Sequence, residues 1–408
     1  MMRTISILVV ALLSSFVVRA QMTLSDYVES VVEYSNTLKS SEAMVESRAA
    51  LYEVAKRNLL PDISLSSETN MNFKDADIGW GVSANITQPL YNGGRYRALA
   101  EQGEQALLKS ESMLNKQRMD IVYSAEVTYW RLSRALVYRD AMHDYINIIK
   151  MLRDVALHRF EEGYTSKSDL LQVESRLLDA EYLLSEAEQS WSVALHNFNV
   201  LRGAEPDTDI ELGWSILDEY ALPLRADISA IVELHPDYII AVAEQETAQL
   251  NIIVERANYL PKLGGGVFGV WQPGLGTTTQ LNGGVTLSLS TPIFNFGERK
   301  EAMRSAQSQY RNAKYLLQEV VDEITLNESN GWTNLQLSHQ RIGSTRRSLE
   351  IAGENLDIST YSYREGLATI LDVLQAQLSW LQIYQNAIAA QYDYVVAISA
   401  YRYIIAQE

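Results

Sequence analysis

Tyr363-Arg364-Glu365-Gly366 closes a long proline-free run of the chain, and Phe160-Glu161-Glu162-Gly163 closes another about 200 residues earlier. Two further landmarks recur at similar spacing and in the same order. Asn58-Leu59-Leu60-Pro61 returns as Asn258-Tyr259-Leu260-Pro261, and Gln88-Pro89-Leu90-Tyr91-Asn92 returns as Thr291-Pro292-Ile293-Phe294-Asn295. Three landmarks repeated in order make an internal duplication, so whatever one half builds, the other builds again.

Each half reads as the same series of parts. A helical segment (24–59, then 228–259) stops at the Leu-Pro pair, because proline disfavours helix in the residue before it. Two extended segments follow, and a very long helical segment then runs to the Glu-Gly. From Gly94 to His158 there is no proline and one interior glycine, Gly103, amid abundant strong helix formers. At about 1.5 Å per residue such a helix reaches ~95 Å, which demands a neighbour along its whole length. The segment after each glycine shows that contact. Leu170, Val173, Leu177, Ala180, Leu184, Ala187, Trp191, Ala194, Phe198 and Leu201 alternate steps of three and four. Val373, Ala376, Trp380, Ile383, Ala387, Ala390, Tyr394, Ala397, Tyr401 and Ile404 do the same. Both are heptad seams for antiparallel coiled-coil packing.

The extended segments alternate instead. Ile78, Trp80, Val82, Ala84 and Ile86 interleave with Gly79, Gly81, Ser83, Asn85 and Thr87; Leu281 to Leu289 interleave with Asn282 to Ser290 in the same way. This period of two predicts strands with one greasy and one wet face. Residues 61–73 and 261–271 are their less regular partners, with polar or Gly/Pro-rich tips at 74–77 and 273–279. About ten residues suffice for a tilted strand to cross an outer membrane, and Trp80, Trp271, Tyr91, Phe294 and Phe296 fall at the strand ends as interfacial aromatics do. Four strands cannot close a barrel, and an open edge in lipid costs several kcal/mol per unpaired group. The chain must therefore oligomerise. Three copies give twelve strands, with two or four copies also open on this argument.

Residues 1–20 read as a secretory signal. Arg3 supplies the charge, residues 5–18 the apolar run, and Val18-Arg19-Ala20 a cleavage site before Gln21. That run is short for a helical span of about 20 residues. The expected organisation is a signal over 1–20 and a first repeat over 21–227, with a β-hairpin at 61–90 and a long helix pair at 93–203. The second repeat covers 228–408, with its hairpin at 261–292 and helix pair at 296–405. The fold class is mainly α with a small β part.

Composition excludes several functions. A formal charge of −17 with no basic run argues against nucleic acid as a partner. No cysteine means no disulfide, thiolate metal site, cysteine nucleophile or lipid-bearing N-terminal cysteine. His143, His158, His196, His235 and His339 are scattered without metal-ligand spacing, and no phosphate loop or Gly-x-Ser-x-Gly elbow occurs. Gly264-Gly265-Gly266 falls inside a strand segment. No catalytic, cofactor-binding or metal residue is expected, and the protein is expected not to be an enzyme. A periplasmic coiled-coil scaffold or adaptor is the alternative, although it has no use for four amphipathic strands.

The duplicated order of parts, and above all Tyr363-Arg364-Glu365-Gly366-Leu367-Ala368-Thr369-Ile370-Leu371-Asp372-Val373-Leu374 with its echo at 160–171, resembles the TolC-like outer-membrane efflux family over nearly the whole mature chain. The resemblance implies a homotrimer in outer-membrane lipid. It would form a 12-stranded barrel on a long helical α-barrel that extends through the periplasm. This duct would serve a tripartite efflux or type I secretion system. Gly163, Tyr164, Gly366 and Leu367 would sit at the periplasmic tip and meet a periplasmic adaptor, which links the duct to an inner-membrane pump. Asp169 and Asp372 match positions where the family places the acids of its pore constriction. A plain first-turn acid, favoured by the helix macrodipole, accounts for the same two residues. The chain departs from the family pattern at Gln375, where some members carry a further acid, and at Ala368, where some carry a gating arginine.

Overall fold

A computed structural model describes residues 21–72, 77–272 and 280–407. The segment read as a signal, 1–20, and the hairpin tips at 73–76 and 273–279 lie outside the described residues. The elements in chain order are α1 Leu24–Tyr34, α2 Asn36–Arg57, β1 Asp62–Asn72, β2 Asp77–Tyr91, α3 Arg95–Glu161 and α4 Lys167–Leu201. Then come α5 Ile228–Leu234, α6 Pro236–Ala257, β3 Lys262–Gln272, β4 Gln280–Ser290, α7 Glu298–Arg364 and α8 Ile370–Ile404. Both α3 and α7 are unbroken over 67 residues.

Where one helix was expected before each hairpin, there are two. Ser35 interrupts the first: its side chain accepts from the Leu38 backbone N–H at 3.2 Å and caps α2. The second breaks at His235-Pro236. Proline takes the first position of α6, where its missing N–H costs nothing, and His235 Nδ1 accepts from the Asp237 N–H at 3.2 Å. Local polar competition with the helix ladder, invisible to hydrophobic spacing, makes the first break, whereas the proline makes the second and His235 caps it.

The chain divides into two compact units. One comprises residues 21–34, 125–220 and 342–395 of the described chain. No seam position of α4 is exposed there, and Val173, Ala180, Ala187 and Phe198 are fully buried. Phe198 stacks on Tyr27 with ring centroids 3.8 Å apart. In α8, Leu374, Leu381, Ile388 and Val395 are buried besides the seam residues, so its apolar stripe is wider than a two-per-heptad seam. The connecting segment after α4 is tied to α3: the Trp214 N–H donates to Tyr129 Oη at 2.9 Å, and the Ile216 N–H donates to Ser133 Oγ at 2.9 Å.

The other unit, residues 35–124, 221–341 and 396–407, holds the sheet. Its strands run antiparallel in the order β1-β2-β3-β4. Register turns the alternation into faces. Ile63 pairs with Ile86, Ile86 with Val267, and Val267 with Val285, a continuous apolar row across all four strands. Val82, Trp271 and Leu281 lie in line on that face, with Leu65, Leu287 and Leu289. The opposite face carries Ser64, Ser66, Ser83, Asn85, Thr286 and Ser288, and Ser66 Oγ and Ser83 Oγ sit 2.7 Å apart. Phe268 and Val270 are the apolar side chains of β3 on the wet face; the Phe268 ring covers Gly284, where an added Cβ would come within 3.1 Å. The greasy face is bare: Ile63 is 76 % exposed, Leu65 76 %, Val285 80 % and Leu287 73 %. In the same unit Arg225 forms two bonds with Glu328 of α7, Nε–Oε1 at 3.0 Å and Nη2–Oε2 at 2.8 Å. Tyr401 Oη adds a third at 2.9 Å.

Candidate functional site

Both Glu-Gly turns adopt one geometry, dictated by the end of a helix. Gly163 has φ +80° and Gly366 φ +78°, the left-handed region that side-chain-bearing residues enter at a cost of about 1–2 kcal/mol. At the first turn the Gly163 N–H donates to the Phe160 carbonyl at 3.0 Å and the Tyr164 N–H to the Arg159 carbonyl at 2.8 Å. At the second, the Gly366 N–H donates to the Tyr363 carbonyl at 3.0 Å and the Leu367 N–H to the Ser362 carbonyl at 2.8 Å. Each is a Schellman cap. The residue after such a glycine commonly folds back on an apolar residue of the last helical turn. Here the corresponding positions are Arg159 and Ser362, and Tyr164 and Leu367 are left 72 % and 80 % exposed.

The two aspartates sit in the first turn of the returning helices. Asp169 Oδ2 accepts from Thr165 Oγ1 at 2.5 Å and from the Ser166 N–H at 3.3 Å, while the Asp169 N–H donates to Ser166 Oγ at 3.2 Å. This is a reciprocal capping box. Asp372 Oδ2 accepts from the Thr369 N–H at 2.8 Å and from Thr369 Oγ1 at 2.7 Å. Hydrogen bonds from Thr165 and from Thr369 hold the two carboxyls below the usual aspartate range. Each aspartate thus caps its own helix through Oδ2. Neither Oδ1 makes a hydrogen bond among the described residues, so a charged oxygen stays available at each turn.

One residue of this region went unread in the sequence. Arg159, in the last turn of α3, reaches the end of α7. Its Nη1 donates to the Tyr363 carbonyl at 2.7 Å and the Arg364 carbonyl at 3.1 Å, and its guanidinium lies 5.0 Å from the Tyr363 ring centroid. The two turns are therefore braced against one another. The equivalent position in the second half is Ser362, so the brace runs one way only. The Ser/Thr-x-x-Asp caps were legible as a motif, whereas nothing in the pattern around Arg159 announces its reach.

No group of three His, Asp or Glu side chains suits a metal ion among the described residues. Ser192 and Asp207 both approach Nε2 of His196, at 3.4 and 2.8 Å, so they form no relay through the two ring nitrogens. None of the described helices is long and apolar enough to cross a membrane.

Comparison with known proteins agrees with this geometry. The solved outer membrane protein VceC of Vibrio cholerae superposes with a TM-score of 0.83 at 19 % identity, covering 94 % of this chain and 96 % of its own. The open-state MtrE outer membrane channel of Neisseria gonorrhoeae superposes with a TM-score of 0.82 at 15 % identity, covering 94 % and 89 %. Among curated proteins, the outer membrane efflux protein BepC of Brucella suis is 24 % identical, over 95 % of this chain and 86 % of its own. Nodulation protein T of Rhizobium leguminosarum bv. trifolii is 22 % identical, over 90 % and 81 %. The family profile described as "Outer membrane efflux protein" matches residues 28–204 and 228–404. The chain thus belongs to the outer membrane efflux protein family, whose members work in transport at the outer membrane and not as enzymes.

Proposed function

We propose that three copies of this chain assemble into a single exit duct, in which twelve strands close a barrel in outer-membrane lipid and the long helices extend it through the periplasm. The observation that carries this reading is the sheet. Its apolar face is bare, and β1 and β4 each lack a second neighbour among the described residues. Lipid covers such a face, and pairing β4 of one copy with β1 of the next removes both edges without new sequence. Three chains supply twelve strands, enough for an open lumen. The sequence organisation proposed above goes with it: removal of residues 1–20, then repeats at 21–227 and 228–408.

At the far end, Gly163, Tyr164, Gly366 and Leu367 form the surface on which a periplasmic adaptor docks, and an inner-membrane pump feeds the duct through that adaptor. Two solvent-facing apolar side chains on rigid caps support this reading. Asp169 and Asp372, repeated by threefold symmetry, make the acidic constriction.

The test is the mass of the detergent-solubilised protein, measured by light scattering with the detergent contribution subtracted. Three chains per particle, with single-channel conductance in planar bilayers, is the expected result. A detergent-free monodisperse monomer overturns the duct.

A further inference from the structure

A groove of about 830 Å³ runs along one face of α3, flanked by α4 and α8. Arg131 and Arg134 lie in it one turn apart, together with the polar groups of Tyr138, Asn197 and Gln385 and the ring of Tyr392. The Arg134 guanidinium stands 4.9 Å from the Tyr392 ring centroid. Arg131 makes no hydrogen bond or ion pair among the described residues. None of the twelve lining residues is Asp or Glu, although the chain carries 51 acids against 34 Lys and Arg. Two guanidiniums left without a carboxylate in so acidic a chain are a local reversal of charge.

The geometry points to a binding site for small organic anions, in which the two guanidiniums hold a carboxylate, sulfonate or phosphate and Tyr392 stacks on an aromatic or aliphatic body. Planar forks take such oxyanions bidentately, and a guanidinium already leaning on an aromatic ring offers a ready platform.

Its place in the duct rests on the function proposed above. Tyr129 and Ser133 of α3 hold the connecting segment. At 3.6 residues per turn, Arg131, Arg134 and Tyr138 lie on the opposite side of the helix, ~150° away. In a ring of helices the flanks of α3 are taken by neighbours, leaving one face outward and one inward. A connecting segment on the inner face would fill the duct, so an open lumen requires that segment outward and turns the groove inward. Three copies then make a cationic station of six guanidiniums, well apart from the aspartates at the turns. Anionic cargo is drawn in there by field focusing within the duct.

The experiment uses the purified full-length protein in detergent, with naphthalene-2-sulfonate as the probe and uncharged 2-naphthol as the control, both followed by titration calorimetry. Arg131→Gln with Arg134→Gln should weaken sulfonate binding about tenfold or more while leaving 2-naphthol unchanged. Arg131→Lys with Arg134→Lys should fall between, since charge persists without the fork. Both positions are exposed on a helix and glutamine is a good helix former, so the fold is retained. Equal sulfonate affinity in the native protein and the double glutamine variant overturns the site. The lumen is read separately in bilayers: sulfonate binding without any conductance keeps the anion site and removes the duct.

Discussion

Arg159 closes the end of α7 from the last turn of α3: its Nη1 lies 2.7 Å from the Tyr363 carbonyl oxygen, and its guanidinium faces the Tyr363 ring. The contact adds a second donor to the Tyr363 carbonyl beside the Gly366 N–H, supplies one to the Arg364 carbonyl, and sets a positive charge at the negative end of the α7 dipole. Replacing Arg159 with Ala should cost about 1.5 kcal/mol locally, equivalent to roughly tenfold faster hydrogen exchange at the Gly366 and Leu367 amides. Arg159→Lys should recover part of the protection, because an ammonium reaches the carbonyls without stacking as a plane. Exchange at these amides indistinguishable from the native protein would show that the brace does not hold the turn.

Tyr164 and Leu367 separate docking from folding. Both are exposed and the caps that present them are made by backbone, so Tyr164→Ser with Leu367→Ser should leave assembly and thermal stability within about 0.5 kcal/mol of native. Efflux, measured as resistance of cells carrying the intact pump system, should nevertheless fall strongly. Full resistance with the doubly substituted protein would remove the tips from the docking surface.

Gly366 should discriminate between turn chemistry and volume. Gly366→Val forces a β-branched residue into positive φ and should cost about 2 kcal/mol or more, whereas Gly366→Asn should cost much less, since asparagine tolerates that region. Comparable melting losses for the two variants would mean that the backbone changes conformation on substitution.

Asp169 and Asp372 carry a pH prediction. Their hydroxyl and backbone donors favour the charged form and depress both carboxyls. The donors oppose the mutual repulsion of a carboxylate ring, which favours protonation. Cation selectivity arising from these groups should therefore be lost on acidification, and at a higher pH in Thr165→Val with Thr369→Val, which lacks the hydroxyl donors. Asp169→Asn with Asp372→Asn should abolish that selectivity at neutral pH in single-channel recordings. Selectivity unchanged in the assembled double variant would leave the aspartates as helix caps alone.

Glu328 offers a stability test far from the turns. The Arg225 guanidinium beside it, helped by the Tyr401 hydroxyl, holds its carboxyl below the usual range. A depressed acid contributes stability above its unfolded value, about 4.3, and loses that contribution as pH falls through its folded value. Glu328→Gln should cost about 2 kcal/mol near neutrality, at the modest end because Arg225 is half-exposed. The difference in melting temperature from the native protein should shrink as pH drops below 4. A difference independent of pH would assign the loss to shape and not to charge.

Periodicity made most of this fold legible. The heptad residues from Leu170 to Leu201 are all at least half-buried, and the alternation from Ile78 to Thr87 gave one strand and its faces. Both signals come from repeated burial, which hydrophobic spacing records directly. What escaped the sequence was single and polar: the caps at Ser35 and His235, and the reach of Arg159 across 204 positions of chain to Tyr363. The positions of Gly163 and Gly366 were readable because left-handed turns need glycine. Their neighbours' exposure was not, since it depends on which residue occupies the preceding helical turn.

The central pairing of the sheet has a consequence for how the chain is made. Asn72 and Asp77 find each other within one hairpin, and so do Gln272 and Gln280, but Tyr91 must wait for Leu263. Four helices, α3 to α6, and the segments joining them are synthesised in between. Local hairpins form in microseconds, whereas closure over such a stretch is slow and follows delivery of the later segment. During export the first hairpin therefore travels with its apolar side and both outer edges unmatched, a state prone to sticking to other chains. Until Leu263 arrives that hairpin stays open to wrong partners, a risk written into the order of the strands.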